Sequence, residues 1–269
     1  MKKIIFIFIF ISLSCSQNLF QNTSSLSPDE ENYAKAMNAL NMQSYDQVIA
    51  IVNNQMTPAG QFTPKVRELL ASAYAGKCGL NFLDYTNKLT QQSSGSAMSN
   101  LLKPFIQVPV NPASCRLALQ TMELIGPTAS RTNNQNIFTS ITGMVLIGTA
   151  LRGYADLSPP LGDGIADINL CTGFTDAQIN DIIIGFGFFN KNFSAVTSTM
   201  IGSYSSFALG DVVKLCNNAV GPAACSVTDP ASITPPMRDS FRDLVNTQEY
   251  GIGAYVTGGD PSRVPASCP

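Results

Sequence analysis

The chain contains no histidine, and only 13% of its residues are charged. Without imidazole it lacks the usual general base near neutral pH, the Ser-His and Cys-His nucleophile pairs, and the commonest zinc ligand. Chemistry by carboxylate, lysine or tyrosine is left open. The 16 Lys and Arg nearly balance the 18 Asp and Glu, for a net charge of −2, so there is no basic face for a polyanion. No nucleic-acid partner is expected. No CxxC spacing offers a metal cluster, and Gly253, Gly258 and Gly259 are accompanied by neither a GxxxxGK[ST] nor a strand-linked GxGxxG phosphate loop. The apolar run at the start, Ile4 to Ile11, is too short to span a membrane comfortably.

What is present describes an exported, folded chain. An apolar content of 45% with interspersed Gly, Pro and Asn fits a globular protein, and 269 residues suffice for one large core. Lys2 and Lys3, the run Ile4 to Ile11, and Ser12-Leu13-Ser14-Cys15 read as a signal peptide over residues 1–14. Ser14-Cys15 resembles a bacterial lipobox, with Leu13 one place nearer the cysteine than the usual pattern has it. The resemblance implies that Cys15 carries acyl chains, palmitate among them, and becomes the mature N-terminus. Two or three such chains anchor stably. Ser16 in place of Asp implies the outer membrane, facing periplasm or cell surface. The alternative is an ordinary secretory signal cut near Ser14 or Ser16. Residues 15–27 then form the lipidated cysteine and a polar tether, and residues 28–269 a single helical domain.

Six further cysteines, Cys78, Cys115, Cys171, Cys216, Cys225 and Cys268, are an even number in a chain bound for an oxidising compartment, so three disulfides are expected. Closeness in sequence favours Cys216 with Cys225, then Cys78 with Cys115, leaving Cys171 with Cys268.

The mature chain reads as all-α, with eight to ten helices. Ser27-Pro28-Asp29-Glu30 combines an N-cap, a first-turn proline and a capping-box glutamate, so a helix starts there and ends near Asn41. Tyr45, Val48, Ile49 and Val52 share one helical face, completing a first hairpin. Thr63-Pro64 opens another helix, with Gly76 and Gly79 marking a turn before Leu80 to Leu89, as a second hairpin. Further helices are expected over 97–107, 112–125, 133–154, from Asp176 to about Met200, and over 207–217 and 236–247. The one at 133–154, nearly hydrophobic all round, reads as a central core helix. The last 20 residues read as an irregular tail held by Cys268.

Ser44-Tyr45-Asp46-Gln47-Val48-Ile49 aligns with Gly79-Leu80-Asn81-Phe82-Leu83-Asp84 at an offset of 35 residues, close to the 34 of a tetratricopeptide repeat. Leu70-Ala71-Ser72-Ala73-Tyr74 resembles the first-helix core of such a repeat. Both copies lack the repeat-ending proline, and position 80 lacks the tyrosine. A lipid-tethered protein with degenerate helical repeats also resembles, in architecture alone, the helical lipoprotein component associated with TRAP transporters.

Candidate sites are few. Asp156, Asp163 and Asp167 lie in a Gly- and Pro-containing stretch in which Asp163-Gly164 and Asp167 resemble the closing half of a calcium loop; calcium is the only cofactor suggested. An ordinary turn with capping aspartates is the competing reading. Gly185-Phe186-Gly187-Phe188-Phe189 and Gly202-Ser203-Tyr204 suit either close helix packing or an apolar cavity lined by Phe186, Phe188 and Phe189. Tyr33, Tyr45 and Tyr74 suit either a repeat groove or a core. The expectation for function is a membrane-anchored, non-enzymatic helical module that binds a protein partner or itself. The alternatives are an apolar-ligand binding protein of the TRAP-associated type, and an enzyme if the three aspartates converge in a cleft.

Overall fold

A computed structural model of the chain describes residues 26–91, 95–159, 161–200 and 209–256. Cys15, Gly202 to Tyr204 and Cys268 lie outside them. Among the described residues the structure is all-α, with one isolated parallel bridge between Thr247 and Tyr255 as the only β-type pairing. In chain order come α1 (Pro28–Asn41), α2 (Tyr45–Gln55), α3 (Pro58–Gln61), α4 (Pro64–Cys78), α5 (Phe82–Thr90), α6 (Ala97–Leu102) and α7 (Pro112–Glu123). They are followed by α8 (Asn133–Tyr154), α9 (Asp176–Met200), α10 (Leu209–Ala219) and α11 (Pro235–Val245).

Local chemistry sets where these helices begin. The Ser27 hydroxyl accepts from the Glu30 amide at 3.3 Å while the Glu30 carboxylate accepts from the Ser27 amide at 2.9 Å. Thr132 with Gln135, and Thr175 with Gln178, exchange the same two bonds ahead of α8 and α9. Prolines open α1, α3, α4, α7 and α11, where a missing N–H costs nothing. The helix expected over 97–107 stops at Leu102 and passes into a 3-10 turn over Lys103–Phe105. Pro104 is the reason, having no N–H to donate and a ring that collides with the carbonyl four residues back.

Two apolar clusters meet on α4. Ala36, Ala39, Val48, Ile51, Val52, Val66, Leu69, Leu70 and Ala73 form the smaller one between α1, α2 and α4. The larger gathers α7, α8, α9 and α11, with Tyr74 packed against both. Successive contacts run α1 on α2, α2 on α4, α4 on α7, α7 on α8 and α8 on α9. The second hairpin is therefore corrected: α4 lies along α7, not α5. A disulfide from Cys78 to Cys115 and a hydrogen bond from the Asn111 amide to the Cys78 carbonyl, 3.0 Å, fasten the end of α4 to the start of α7. α5 instead stacks Tyr85 on Phe105, ring centroids 5.5 Å apart. Gly76 does not mark a turn but lies inside α4, where a Cβ would come within 2.3 Å of the Tyr45 ring.

The expected core helix, α8, is buried along most of its length and meets α9 at two glycines. A Cβ on Gly143 would lie 2.7 Å from the Gly185 carbonyl oxygen, and one on Gly185 would lie 2.8 Å from that of Gly143. Backbone-to-backbone approach of this kind leaves room for nothing larger than hydrogen. The disulfide expected first, Cys216–Cys225, closes the loop after α10. Cys171 is also disulfide-bonded, to a cysteine outside the described residues.

Candidate functional site

The three aspartates do not converge. The fully buried Asp156 carboxylate accepts from the amides of Gly162 at 2.8 Å and Gly164 at 3.0 Å. Asp167 accepts from Leu157 and Ser158 at 2.5 and 2.6 Å, and those bonds, led by Ser158, hold its pKa below the usual carboxylate value. Asp163 caps its own turn through the Ile165 amide at 2.8 Å. Each carboxylate is spent on loop backbone. Among the described residues no three His, Cys, Asp or Glu side chains gather closely enough to hold a metal. The calcium expectation at Asp156, Asp163 and Asp167 is thus corrected to loop closure, and the cleft that an enzyme reading required is not formed by these residues.

The apolar-cavity expectation is corrected as well. Phe186, Phe188 and Phe189 are buried in the larger core, with Phe186 5.5 Å from Phe241 and Phe189 5.4 Å from Phe193, centroid to centroid. Of the glycines beside them, Gly185 lets α9 close on α8 and Gly187 admits the main chain of Val227. Tyr33, Tyr45 and Tyr74 pack against the smaller core rather than opening a groove.

A concavity among the described residues lies elsewhere, a groove of about 660 Å³ bounded by three segments distant in sequence. Its size is that of sites that hold small molecules or short peptide stretches. The first wall is the start of α6. Ser96 caps that helix through the Ser99 amide at 3.0 Å and donates its hydroxyl to the Gly251 carbonyl, while the Met98 amide donates to Tyr250 at 3.0 Å. The second wall is the segment after the aspartate loop, Gly164 to Cys171. Gly164 has a φ of +85°, and a Cβ there would come within 2.4 Å of the Ser99 hydroxyl, so the wall closes only on glycine. The third is the turn after α11. There Ile252 donates to Val245 at 2.9 Å, Gly251 to Thr247 at 3.1 Å, and Tyr255 to Asn246 at 3.0 Å. The Asn246 amide nitrogen also reaches the Cys171 sulfur at 3.5 Å, joining second wall to third. Ile168, Leu170 and Ile252 supply apolar surface; Ser99, Asn169, Asn246 and Gln248 supply uncharged hydrogen-bonding groups.

None of the described lining residues has a free titratable side chain, since Cys171 is tied up in its disulfide. Lys103 reaches the groove's edge, its Nζ 2.8 Å from where a Cβ on Gly95 would sit, whereas two buried ionisable clusters join helices. Arg116 donates to Asp181 at 2.5 Å and the Tyr154 hydroxyl to the same carboxylate at 3.0 Å, linking α7, α8 and α9. Burial pushes the Asp181 carboxyl and the Tyr154 hydroxyl up, the latter helped by the Asp181 charge. Arg131, its side chain fully enclosed, donates to Asn192 at 3.2 Å and Thr128 at 3.1 Å, and burial lowers its pKa. These are helix staples.

Sequence reasoning reached one edge of the groove, the Asp163-Gly164 turn, and missed the rest. Its Ser, Gly and Asn residues have no periodicity and no chemical signature. Compared with protein-family models, curated proteins and solved structures, the chain finds no match.

Proposed function

We propose that the protein is an outer-membrane lipoprotein of the bacterial envelope, tethered through a lipid on Cys15, that acts by binding an extended, uncharged stretch of a partner polypeptide in the groove. The observation that carries this reading is the groove's lining: hydrogen-bonding amides, hydroxyls and main chain beside apolar side chains, with no free acid or base among the described residues. Such a lining recognises shape and main-chain polarity and offers no proton to transfer. The succession α1, α2, α4, α7 supports a tetratricopeptide-like reading of the N-terminal part, with α7 in the place expected for α5. The apolar small-molecule alternative, by contrast, relied on a cavity at Phe186, Phe188 and Phe189, where rings pack against rings.

The test is native mass spectrometry of the mature protein purified, unreduced, from its own membrane. The expected result is acylation at Cys15 and a co-purifying polypeptide that is lost in Gln248→Arg, which puts a charge on an exposed groove wall. An unmodified N-terminus overturns the anchoring half. Absence of a polypeptide, or one indifferent to Gln248→Arg, overturns the binding half.

A further inference from the structure

We infer that the partner polypeptide adds to this chain as a β-strand, pairing its main chain with the open edge of residues 254–256 and lodging alternate side chains in the groove; the inference rests on the reading of the groove as a polypeptide site.

The edge belongs to a small piece of parallel ladder. Thr247 and Tyr255 form a parallel bridge, in which the Tyr255 amide donates to the Asn246 carbonyl at 3.0 Å and the Tyr255 carbonyl accepts from the Gln248 amide at 2.7 Å. Both main-chain groups of Tyr255 therefore point inward, at the segment that follows α11. In an extended chain successive residues turn these groups to opposite sides, so those of Ala254 and Val256 point outward, away from residues 246–248. Neither residue has a main-chain hydrogen bond among the described residues, and Ala254, Tyr255 and Val256 are all exposed. An edge left unpaired is a template for another strand, and proteins guard such edges with lysine, proline or a bulge. This one carries alanine, tyrosine and valine, two of them strand formers, and no guard.

The edge also lies where the groove can use it. Thr247 is fully buried, whereas Asn246, Gln248 and Ala254 line the groove, the alternation of a ladder with one face on the core and the other on the groove. A strand laid beside Ala254 and Val256 carries every second side chain over that same face, toward Ile168, Leu170 and Ile252. Main chain then supplies the hydrogen bonds and the apolar surface takes uncharged side chains, so recognition turns on extended shape more than on sequence. The segment leading to the edge is already fixed, by the Ser96 hydroxyl on the Gly251 carbonyl and by the Ile252 amide on the Val245 carbonyl, and little ordering is left for binding to impose.

The experiment uses the full mature chain. The probe is an uncharged peptide of alternating pattern, acetyl-Thr-Val-Ser-Val-Thr-Val-Ser-amide, added at about 1 mM while amide exchange is followed residue by residue by NMR. Exchange of the Ala254 and Val256 amides should slow at least about ten-fold, with Tyr255, already bonded to Asn246, and α8 unchanged. Two analogues, N-methylated at the valines or at the serines and threonines, block opposite edges of the probe. One should bind at least about ten-fold more weakly than the parent and the other within about three-fold of it. Two analogues that bind equally well overturn the inference, and so does protection of both edge amides before the probe is added, whether by a second copy or by the rest of the chain. A probe that does not bind, beside a polypeptide captured from the membrane and lost in Gln248→Arg, overturns strand addition and leaves the groove reading standing. Neither a captured polypeptide nor a bound probe overturns both.

Discussion

Asp243 on α11 is 1% exposed, and neither of its carboxylate oxygens has a hydrogen-bond partner. Burial, and then the negative charge of Asp239, pushes its pKa from the ordinary 3.8 up to about 6. Between those values the folded protein keeps a proton that the unfolded chain has released. Stability therefore falls as pH rises from about 4 to about 6, and the full penalty stands above that window. At about 1.4 kcal/mol per unit the gap sets a ceiling of about 3 kcal/mol. The carboxyl lies close beneath the surface, where water still screens it, so about 1–2 kcal/mol is the working figure. Asp243→Asn removes the charge with little change of shape and should be more stable than the wild type by that amount at about pH 7.5, with the advantage gone by about pH 4. Urea unfolding across that range measures it, as a shift of midpoint at constant slope. Carboxylates whose pKa is lowered, such as Asp167 and Asp176, titrate the other way, but equally in both proteins, so they cancel in the difference. A variant no more stable at pH 7.5, or one with the same offset at both ends, would refute the reasoning.

Gly143→Ala gains about 1 kcal/mol of helix propensity but drives a Cβ against the α9 backbone, so a net loss of about 1–2 kcal/mol is expected in thermal or urea unfolding; a stabilised variant contradicts the close approach. Replacing Cys78 and Cys115 together by serine opens a link between residues 37 apart, worth about 4 kcal/mol by loop entropy, and a loss under about 1 kcal/mol would mean that α4 and α7 hold without it. Asp156→Asn exchanges one acceptor oxygen for a donor, stranding the amide of Gly162 or Gly164 at a cost of about 1–3 kcal/mol, and exchange should quicken across residues 157–166; an unchanged loop would show that the carboxylate does not hold it.

Helix starts were legible because they are decided within four residues. Ser27 to Glu30 and Thr175 to Gln178 carry their caps in the sequence, and the structure makes the corresponding bonds. Helix partners were less legible. α4 and α5 are neighbours in sequence, yet α4 packs on α7, across an intervening α5 and α6. The pairing of Cys78 with Cys115 already contains that answer, because it ties the last residue of α4 to the first turn of α7. A covalent constraint that spans the insertion outranks a repeat-like spacing that does not.

The site was harder to read for a related reason. Three aspartates near glycines carry the same composition whether they face a cation or loop amides, and what decides is the supply of otherwise unpaired N–H groups. A tight turn with glycines at positive φ, such as Gly162 and Gly164, supplies them in quantity, and Asp156 and Asp167 take them. The groove has the opposite problem, since Ser96, Asn169, Asn246 and Gln248 become a surface only when three distant segments meet. Its chemistry nevertheless makes a distinctive demand. With no free titratable group among its described lining residues, Lys103 only at its edge, and an uncharged ligand, salt has little charge to screen between the two and pH no proton to move. Affinity for a captured partner segment should change less than about three-fold between roughly 50 and 500 mM salt and between about pH 5.5 and 8, measured by titration calorimetry. A steep salt dependence would place the binding surface elsewhere, at one of the charged faces, and would overturn the groove as its seat.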